Sequence, residues 1–521
     1  MRSWIKMLSD LTSRPHVRQI RKVPPLPVDS ELPKPLSPKL MRTILGQSTD
    51  VIFREFSLRG QEEIPCTLVA VDGLIDKLLL DTFILRVLMV DFAGQKELEQ
   101  MTVANALATV FKFLAPAIEL KIINKTGDAV DTILSGDAVL FFGETAEALV
   151  VGARGWANRG VTEPETEAVV RGPREGFSET LRTSTSLLRR KIKHPSLRMH
   201  SLKIGELTKT DIVVTYIEGL AKPDIVQEVM RRLQRIKIDG ILESAYIEEM
   251  IEDVPYTPFP QVRHTERPDV LAAGLLEGKV GILVDGTPIA LMVPAVFIQF
   301  MQVSEDYYEK AVIVVLVRFI RYLGVFVALL APSIYIAVAT FHQEIIPTTL
   351  ALGIAAGRSG VPVTALLEAL LMTFALEIIQ EAGLRLPKPI GQTIGIVGAI
   401  VIGDAAVKAS LVSPQMVIIV ALTAIATYSI PYYDLAIAMR LIRFPLMILA
   451  GTFGFFGIGI GLYGLLIHLL SMRSFGHPYF SPVAPLRIRT LLQDTFVRAP
   501  WWAMKRRPQI SDVDEPRGGG E

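Results

Sequence analysis

A chain of 521 residues exceeds what a single hydrophobic core usually supports, and with 50% of its residues apolar and a mean hydropathy of +0.40 it is too apolar for an ordinary soluble enzyme. The 54 basic and 53 acidic residues leave a net charge of +1, which gives no bulk attraction for nucleic acid. The one cysteine, Cys66, excludes an intrachain disulfide framework and a cysteine-built metal centre.

Residues 1–46 interleave Arg14, Arg18, Arg21, Lys22, Lys34 and Lys39 with prolines, a composition that builds no core and predicts a flexible basic arm. The opening MRSWIKMLSDLTSRP has no apolar stretch long enough for a secretory signal, so the N-terminal half is expected in the cytoplasm. From there to Val303 short strand patterns alternate with helical ones. CTLVAVDGL precedes one helical run, and DIVVTYIEGL precedes the amphipathic PDIVQEVMRRLQRI, with proline at a helix start.

These pieces repeat. VAVDGL at Val69 matches TYIEGL at Thr215, and LSGDAVLFFGETAEALVV at Leu134 aligns without gaps to LEGKVGILVDGTPIALMV at Leu276. In the second pair apolar strands flank Gly143-Glu144 and Asp285-Gly286, which have tight-turn chemistry. Two α/β subdomains of one plan are predicted, at 47–155 and 201–303. The linker between them, 156–200, carries a helical pattern with Phe177, Leu181, Leu188 and Ile192 on one side and a basic face of Arg182, Arg189, Arg190 and Lys193, expected to be solvated or turned to an acidic neighbour or an anionic membrane.

A helical membrane domain is predicted over 310–472, with a basic cytoplasmic tail over 473–521. Tyr322 to Phe341 has the length that a hydrocarbon layer of about 30 Å requires and follows Arg318 and Arg321. Apolar segments also begin at Val363, Pro389, Gln415 and Phe444. With both ends cytoplasmic the crossings must be even in number. The segment Val363 to Gly383 is therefore expected not to span, because Thr373, Glu377, Gln380 and Glu381 share one side of its wheel. Glu368 points the opposite way and needs a proton or a partner, Arg358 being the nearby basic residue. Gly391, Gly395, Ala399 and Gly403, then Gly454, Gly457, Gly461 and Gly464, form small-residue ridges for close helix packing. If copies of the chain form a ring, Thr393, Ile394 and Val397 are candidates for an apolar constriction, and Glu377 and Glu381 for a negative band that favours cations.

The motifs VVRGPREGF, FHQEIIPTTLALGIAAGRSGVPVTALLEALLM, EAGLRLPKPIGQTIGIVGAIVIGDAAV, YDLAIAMRLIRFPLMILAG, IHLLSMRSFGHPYFSPVAPL and DTFVRAPWWAMKRRP together resemble the GerA family, the A subunits of bacterial spore germinant receptors. The likeness runs from about residue 45 to Pro508. It implies an integral protein of the spore inner membrane that acts with a transporter-like, nutrient-binding B subunit and a lipoprotein C subunit. It also implies a homo-oligomeric ring that conducts ions when germinant binds. Some family members lack a nutrient sensor of their own, and a solute transporter is the other class weighed. No P-loop, HExxH or GxSxG occurs and the 7 histidines are scattered, so no catalytic residue, cofactor or metal is expected.

Overall fold

The computed structural model describes residues 36–59, 62–91, 101–114, 119–155, 163–164, 166–385 and 403–504. They divide into two units. The first comprises residues to Asp253, Val262–Pro294 and the chain from Pro500; the second comprises Val254–Gln261 and Ala295–Ala499. The stretch 473–499, expected as part of a tail, belongs to the second unit.

The first unit holds the two predicted α/β subdomains. In one, strands β1 (Val51–Arg59), β2 (Glu63–Val71), β3 (Leu120–Ile123), β4 (Ala138–Phe142) and β5 (Ala148–Val151) form a sheet of order β1-β2-β4-β5-β3. In the other, β6 (Leu197–Ile204), β7 (Thr210–Ile217), β8 (Arg263–Thr265), β9 (Val280–Val284) and β10 (Ala290–Val293) take the same order, β6-β7-β9-β10-β8. Every strand pair is antiparallel. The repeat is kept down to backbone conformation: Gly136 and Gly278, each just before a central strand, have φ of 100° and 88°, a region that a side chain resists. Both central strands, AVLFF and VGILV, are buried at every residue because helices cover both faces of the sheet.

On the first sheet, α1 (Pro38–Leu45) and α3 (Thr126–Leu134) cover one face through Met41, Leu45, Val130 and Ile133, so the end of the stretch 1–46 builds core where an arm was expected. The opposite face takes π-helical turns over Leu80–Leu85 and Val87–Asp91 together with α2 (Val103–Leu114). Cys66 lies in that core, where burial pushes its thiol up to about 12 and leaves it unreactive.

On the second sheet, α4 (Leu181–Lys191) and α7 (Pro268–Leu276) pack on one face through Leu188, Val270, Leu271 and Leu275, with Phe177 and Ile192 beside them. The helices α5 (Pro223–Arg235) and α6 (Ser244–Ile251) bury Val229, Leu233 and Ile247. Of the expectations for the basic face of α4, Arg189 departs from the solvated one and meets an acidic neighbour, being only 1% exposed. Its Nε and Nη2 donate to both oxygens of Asp50 at 2.9 Å, and Nη1 donates to the Leu197 carbonyl at 3.1 Å. Thr49 N–H, next to Asp50, donates to the Met199 carbonyl at 2.9 Å, so the two subdomains are joined at a buried ion pair. Arg182 pairs with Asp72 and Arg190 with Glu175, while Lys193 is exposed.

A second buried cation sets a pH dependence. Lys279, 1% exposed, enters β9, and burial pushes its ammonium down to about 7, reinforced by Arg263 and opposed by Glu277. An unfolded lysine titrates near pH 10.4, so between about pH 7 and about pH 10 the unfolded chain holds the extra proton and stability should rise with pH. Thermal melts of the full-length protein in detergent should show a higher Tm at pH 9 than at pH 7. Lys279→Met should raise Tm at pH 7 and flatten that slope; a slope unchanged by Lys279→Met would disprove the assignment.

Candidate functional site

The second unit contains the membrane helices. Helices α8 (Ala311–Thr340) and α12 (Tyr433–Ser471) are long and apolar enough to cross a membrane. Between them in sequence lie α9 (Thr348–Arg358), α10 (Ala365–Arg385) and α11 (Pro414–Thr427). Helix α10 turns its apolar side outward: Leu367, Leu371, Phe374 and Ile378 are exposed at four- and three-residue spacing, as a lipid-facing stripe would be. Its polar side faces protein. Thr373 is 1% exposed, with Oγ1 3.8 Å from Met447 Sδ, and Glu377 Oε2 accepts Arg440 Nε of α12 at 2.8 Å together with Nη2 of the same guanidinium. Glu377 is thus neutralised by a partner inside the bundle. Glu381, one turn on, is exposed.

Glu368, in the first turn of α10, is fully buried, as expected. Its Oε1 accepts the Ser413 N–H at 2.6 Å and the Ser413 hydroxyl at 2.5 Å. Ser413 is the N-cap of α11, its Oγ accepting from Met416 N–H, so the carboxylate also sits at the positive end of that helix. Arg358 Nη2 lies 3.8 Å from Glu368 Oε2, an ion pair without a hydrogen bond, and it donates to the Val363 carbonyl at 3.4 Å. Oε2 is buried with no hydrogen-bond partner. Tyr335 of α8 completes the group, its hydroxyl 3.4 Å from Ser413 Oγ.

Near the start of α8 the two flanking arginines are buried and paired. Arg318 and Arg321 are 1% and 8% exposed and converge on Asp306, itself 3% exposed. Arg318 Nε and Arg321 Nη1 each donate to Asp306 Oδ2 at 3.0 Å, and Arg321 Nη2 donates to Oδ1 at 3.2 Å. Arg318 also reaches the C-terminal segment, donating to the Asp494 carbonyl at 2.9 Å and the Thr495 carbonyl at 3.2 Å, while Tyr307 donates to the Asp494 carboxylate. Nothing in the sequence pairs residue 306 with residue 494. Arg443 is a further buried arginine; it donates to the Ala328 carbonyl at 2.8 Å and to Thr427 Oγ1 at 3.0 Å.

Of the predicted packing residues, Gly403 has Val417 3.4 Å from the position of a Cβ, and a Cβ on Gly461 would meet Leu446 and Leu449. Around Gly464 nothing among the described residues lies within 4 Å. Gly454 does more than pack: at φ 61° and ψ −139° it breaks α12 into two helices, which corrects the reading of Phe444 onward as one crossing. Thr393, Ile394, Val397, Gly391, Gly395 and Ala399 lie outside the described residues.

A duplicated α/β unit joined in one chain to apolar helices whose charged side chains pair inside a bundle describes a membrane protein with an α/β domain in the same chain. Residues 39–510 match the model for the Bacillus/Clostridium GerA spore germination protein, and the chain belongs to that family. It is 44% identical over 481 residues to the membrane protein YfkQ of Bacillus subtilis, covering 91% of this chain and 92% of that one. It is 42% identical over 498 residues to spore germination protein KA of the same organism, with 94% and 90% covered. Spore germination protein GerLA of Bacillus cereus is 40% identical over 474 residues, with 90% and 94% covered. The crystal structure of the N-terminal domain of the A subunit of the Bacillus megaterium spore germinant receptor GerK3 is 30% identical, covers 54% of this chain and 99% of its own, and has a TM-score of 0.40. A role in spore germination follows from this membership.

Proposed function

We propose that the chain is the A subunit of a nutrient-germinant receptor in the spore inner membrane, crossing it several times with the N-terminal unit and the C-terminal tail in the cytoplasm. In this reading copies assemble into a ring that conducts cations when germinant is bound, with a nutrient-binding B subunit and a lipoprotein C subunit as partners. Family membership over residues 39–510 carries the reading, together with α10, whose charged side faces protein while its apolar stripe faces outward. The exposed Glu381 and the candidate constriction of Thr393, Ile394 and Val397 are assigned the cation preference in this reading.

Enlarging a constriction should block flow and shrinking it should leak. Val397→Phe is expected to cut germinant-triggered cation release by about tenfold or more, and Ile394→Ala to permit release without germinant. Glu381→Gln should lower the preference for cations over anions in vesicles containing the purified protein. Unchanged conduction per complex in all three variants would defeat the channel reading. A second reading, a family member without its own nutrient sensor, is favoured by the 44% identity to a relative described only as a membrane protein. It expects the same conduction with no response to any nutrient mixture.

A further inference from the structure

The first turn of α10 and the start of α11 are tied together at one carboxylate, Glu368. We propose that Glu368 is a positioning residue, a charge latch that holds the start of α11 against the first turn of α10, with Arg358 as the group that acts on it. The proposal rests on the channel reading above and gives that reading a moving part.

The two carboxylate oxygens are treated unequally. Oε1 is held by two donors from Ser413, at the start of α11, so the ionised form fixes where that helix begins. Oε2 is buried and receives no hydrogen bond, although a guanidinium stands 3.8 Å away. A buried carboxylate oxygen left without a donor costs free energy, and a cation poised one short step from it can remove that cost by moving. Arg358 is the last residue of α9 and at present donates to the Val363 carbonyl in the turn leading to α10. Moving from that carbonyl onto Oε2 would exchange a long hydrogen bond to a neutral acceptor for one between opposite charges and draw the end of α9 toward α10. The neighbouring contacts make α11 respond: Gln415 Nε2 donates to the Gly353 carbonyl of α9 at 3.2 Å, and a Cβ on Gly357 would run into the Gln415 amide. A displacement of α9 therefore pushes on the first turn of α11, where Ser413 is held. The group thus has two discrete arrangements within reach, which is what a gating element requires.

The test uses full-length protein reconstituted in vesicles, in a Cys66→Ser background, with Glu368→Gln, Ser413→Ala and Arg358→Gln. Glu368→Gln keeps the shape and removes the charge, Ser413→Ala removes one donor, and Arg358→Gln removes the poised cation. Two readouts are taken. One is the rate at which an impermeant maleimide labels a cysteine placed at Ala409, with Gln343→Cys as the control position. The other is passive potassium efflux without germinant.

Glu368→Gln and Ser413→Ala should raise labelling at position 409 by roughly tenfold with the control unchanged, and should leak potassium. Arg358→Gln should leave both labelling and potassium efflux at the wild-type level, because the two Ser413 donors still hold Oε1; labelling raised as in Glu368→Gln would overturn the assignment of Arg358 as the poised cation. Raised labelling with no potassium efflux in any variant, Ile394→Ala included, would support the latch and sink the channel reading. Wild-type labelling in Glu368→Gln and Ser413→Ala, or loss of all three variants from the membrane fraction, would overturn the latch, since the group would then only hold the fold together.

Discussion

Asp306→Ala is expected to destabilise the second unit by about 3–5 kcal/mol, the usual cost of leaving a buried charge without its partner. Two guanidiniums converge on this carboxylate, each at 3.0 Å to Oδ2, and neither is more than 8% exposed. Removing it leaves Arg321 with the Met301 carbonyl as its remaining acceptor among the described residues, and leaves Arg318 dependent on Asp494 and the carbonyls of Asp494 and Thr495. The α13 segment (Ile488–Asp494) would then be held to α8 by an Arg318 that has lost its Asp306 anchor, together with Tyr322, whose hydroxyl donates to the Thr495 carbonyl at 3.1 Å. The amount of full-length protein in the membrane fraction and its melting temperature in detergent should both fall. Adding Arg321→Met should recover part of the loss, because it removes one of the stranded charges. A melting temperature within a degree or two of the wild type in Asp306→Ala would show that the network contributes nothing.

That network marks the limit of what the sequence can reveal. The duplicated sheets were legible because turn chemistry and strand length repeat at a nearly fixed offset: β4 and β5 recur as β9 and β10, and the glycine before each central strand recurs with its positive φ. Local pattern also found Glu368 and its neighbour Arg358, since a carboxylate among apolar residues is conspicuous and its candidate cation lies ten residues away in sequence. Pairs distant in sequence leave no such mark. Asp50 with Arg189, Asp306 with Asp494 through Arg318, and Glu377 with Arg440 are each made by tertiary packing between elements whose own periodicity is satisfied without them. The sequence marks Arg318, Arg321 and Glu377 as charges near or inside an apolar segment but does not name the side chains that pair with them. The polar side of α10 was identified correctly from its wheel, yet a wheel cannot tell a face that lines water from one that meets an arginine on the next helix.

Gly454→Ala should be among the most damaging single substitutions in the membrane helices. At φ 61° and ψ −139° an L side chain is strained by about 1–3 kcal/mol, and a Cβ there would lie 2.6 Å from His342 Cε1 and 3.1 Å from Phe341 Cβ, an overpacking worth a further 1–3 kcal/mol or so. Together these should lower the melting temperature by roughly 5–20 °C. Gly464→Ala, three turns along and with nothing described within 4 Å, should change it little, although the sequence places both glycines in one ridge. The break also changes the topology. A Cβ on Gly457 would meet the Leu449 carbonyl and one on Gly461 would meet Leu446, so the chain after Gly454 runs back beside the chain before it. The two ends of α12 accordingly return to the same aromatic group, Phe300 lying 4.8 Å from Tyr432 and 6.3 Å from Tyr479 between ring centres. The apolar stretch from Tyr433 to Ser471 is therefore a hairpin, which adds a segment to the five counted by hydropathy, and an even number of crossings no longer requires Val363–Gly383 to stay out of the membrane. Single cysteines at Thr452, Gln343 and Arg487 in a Cys66→Ser background distinguish the two arrangements. The hairpin expects Thr452→Cys to react with an impermeant thiol reagent from the same side as Gln343→Cys and from the opposite side to Arg487→Cys, whereas one straight crossing would bury position 452 in the hydrocarbon and leave it unlabelled from either side.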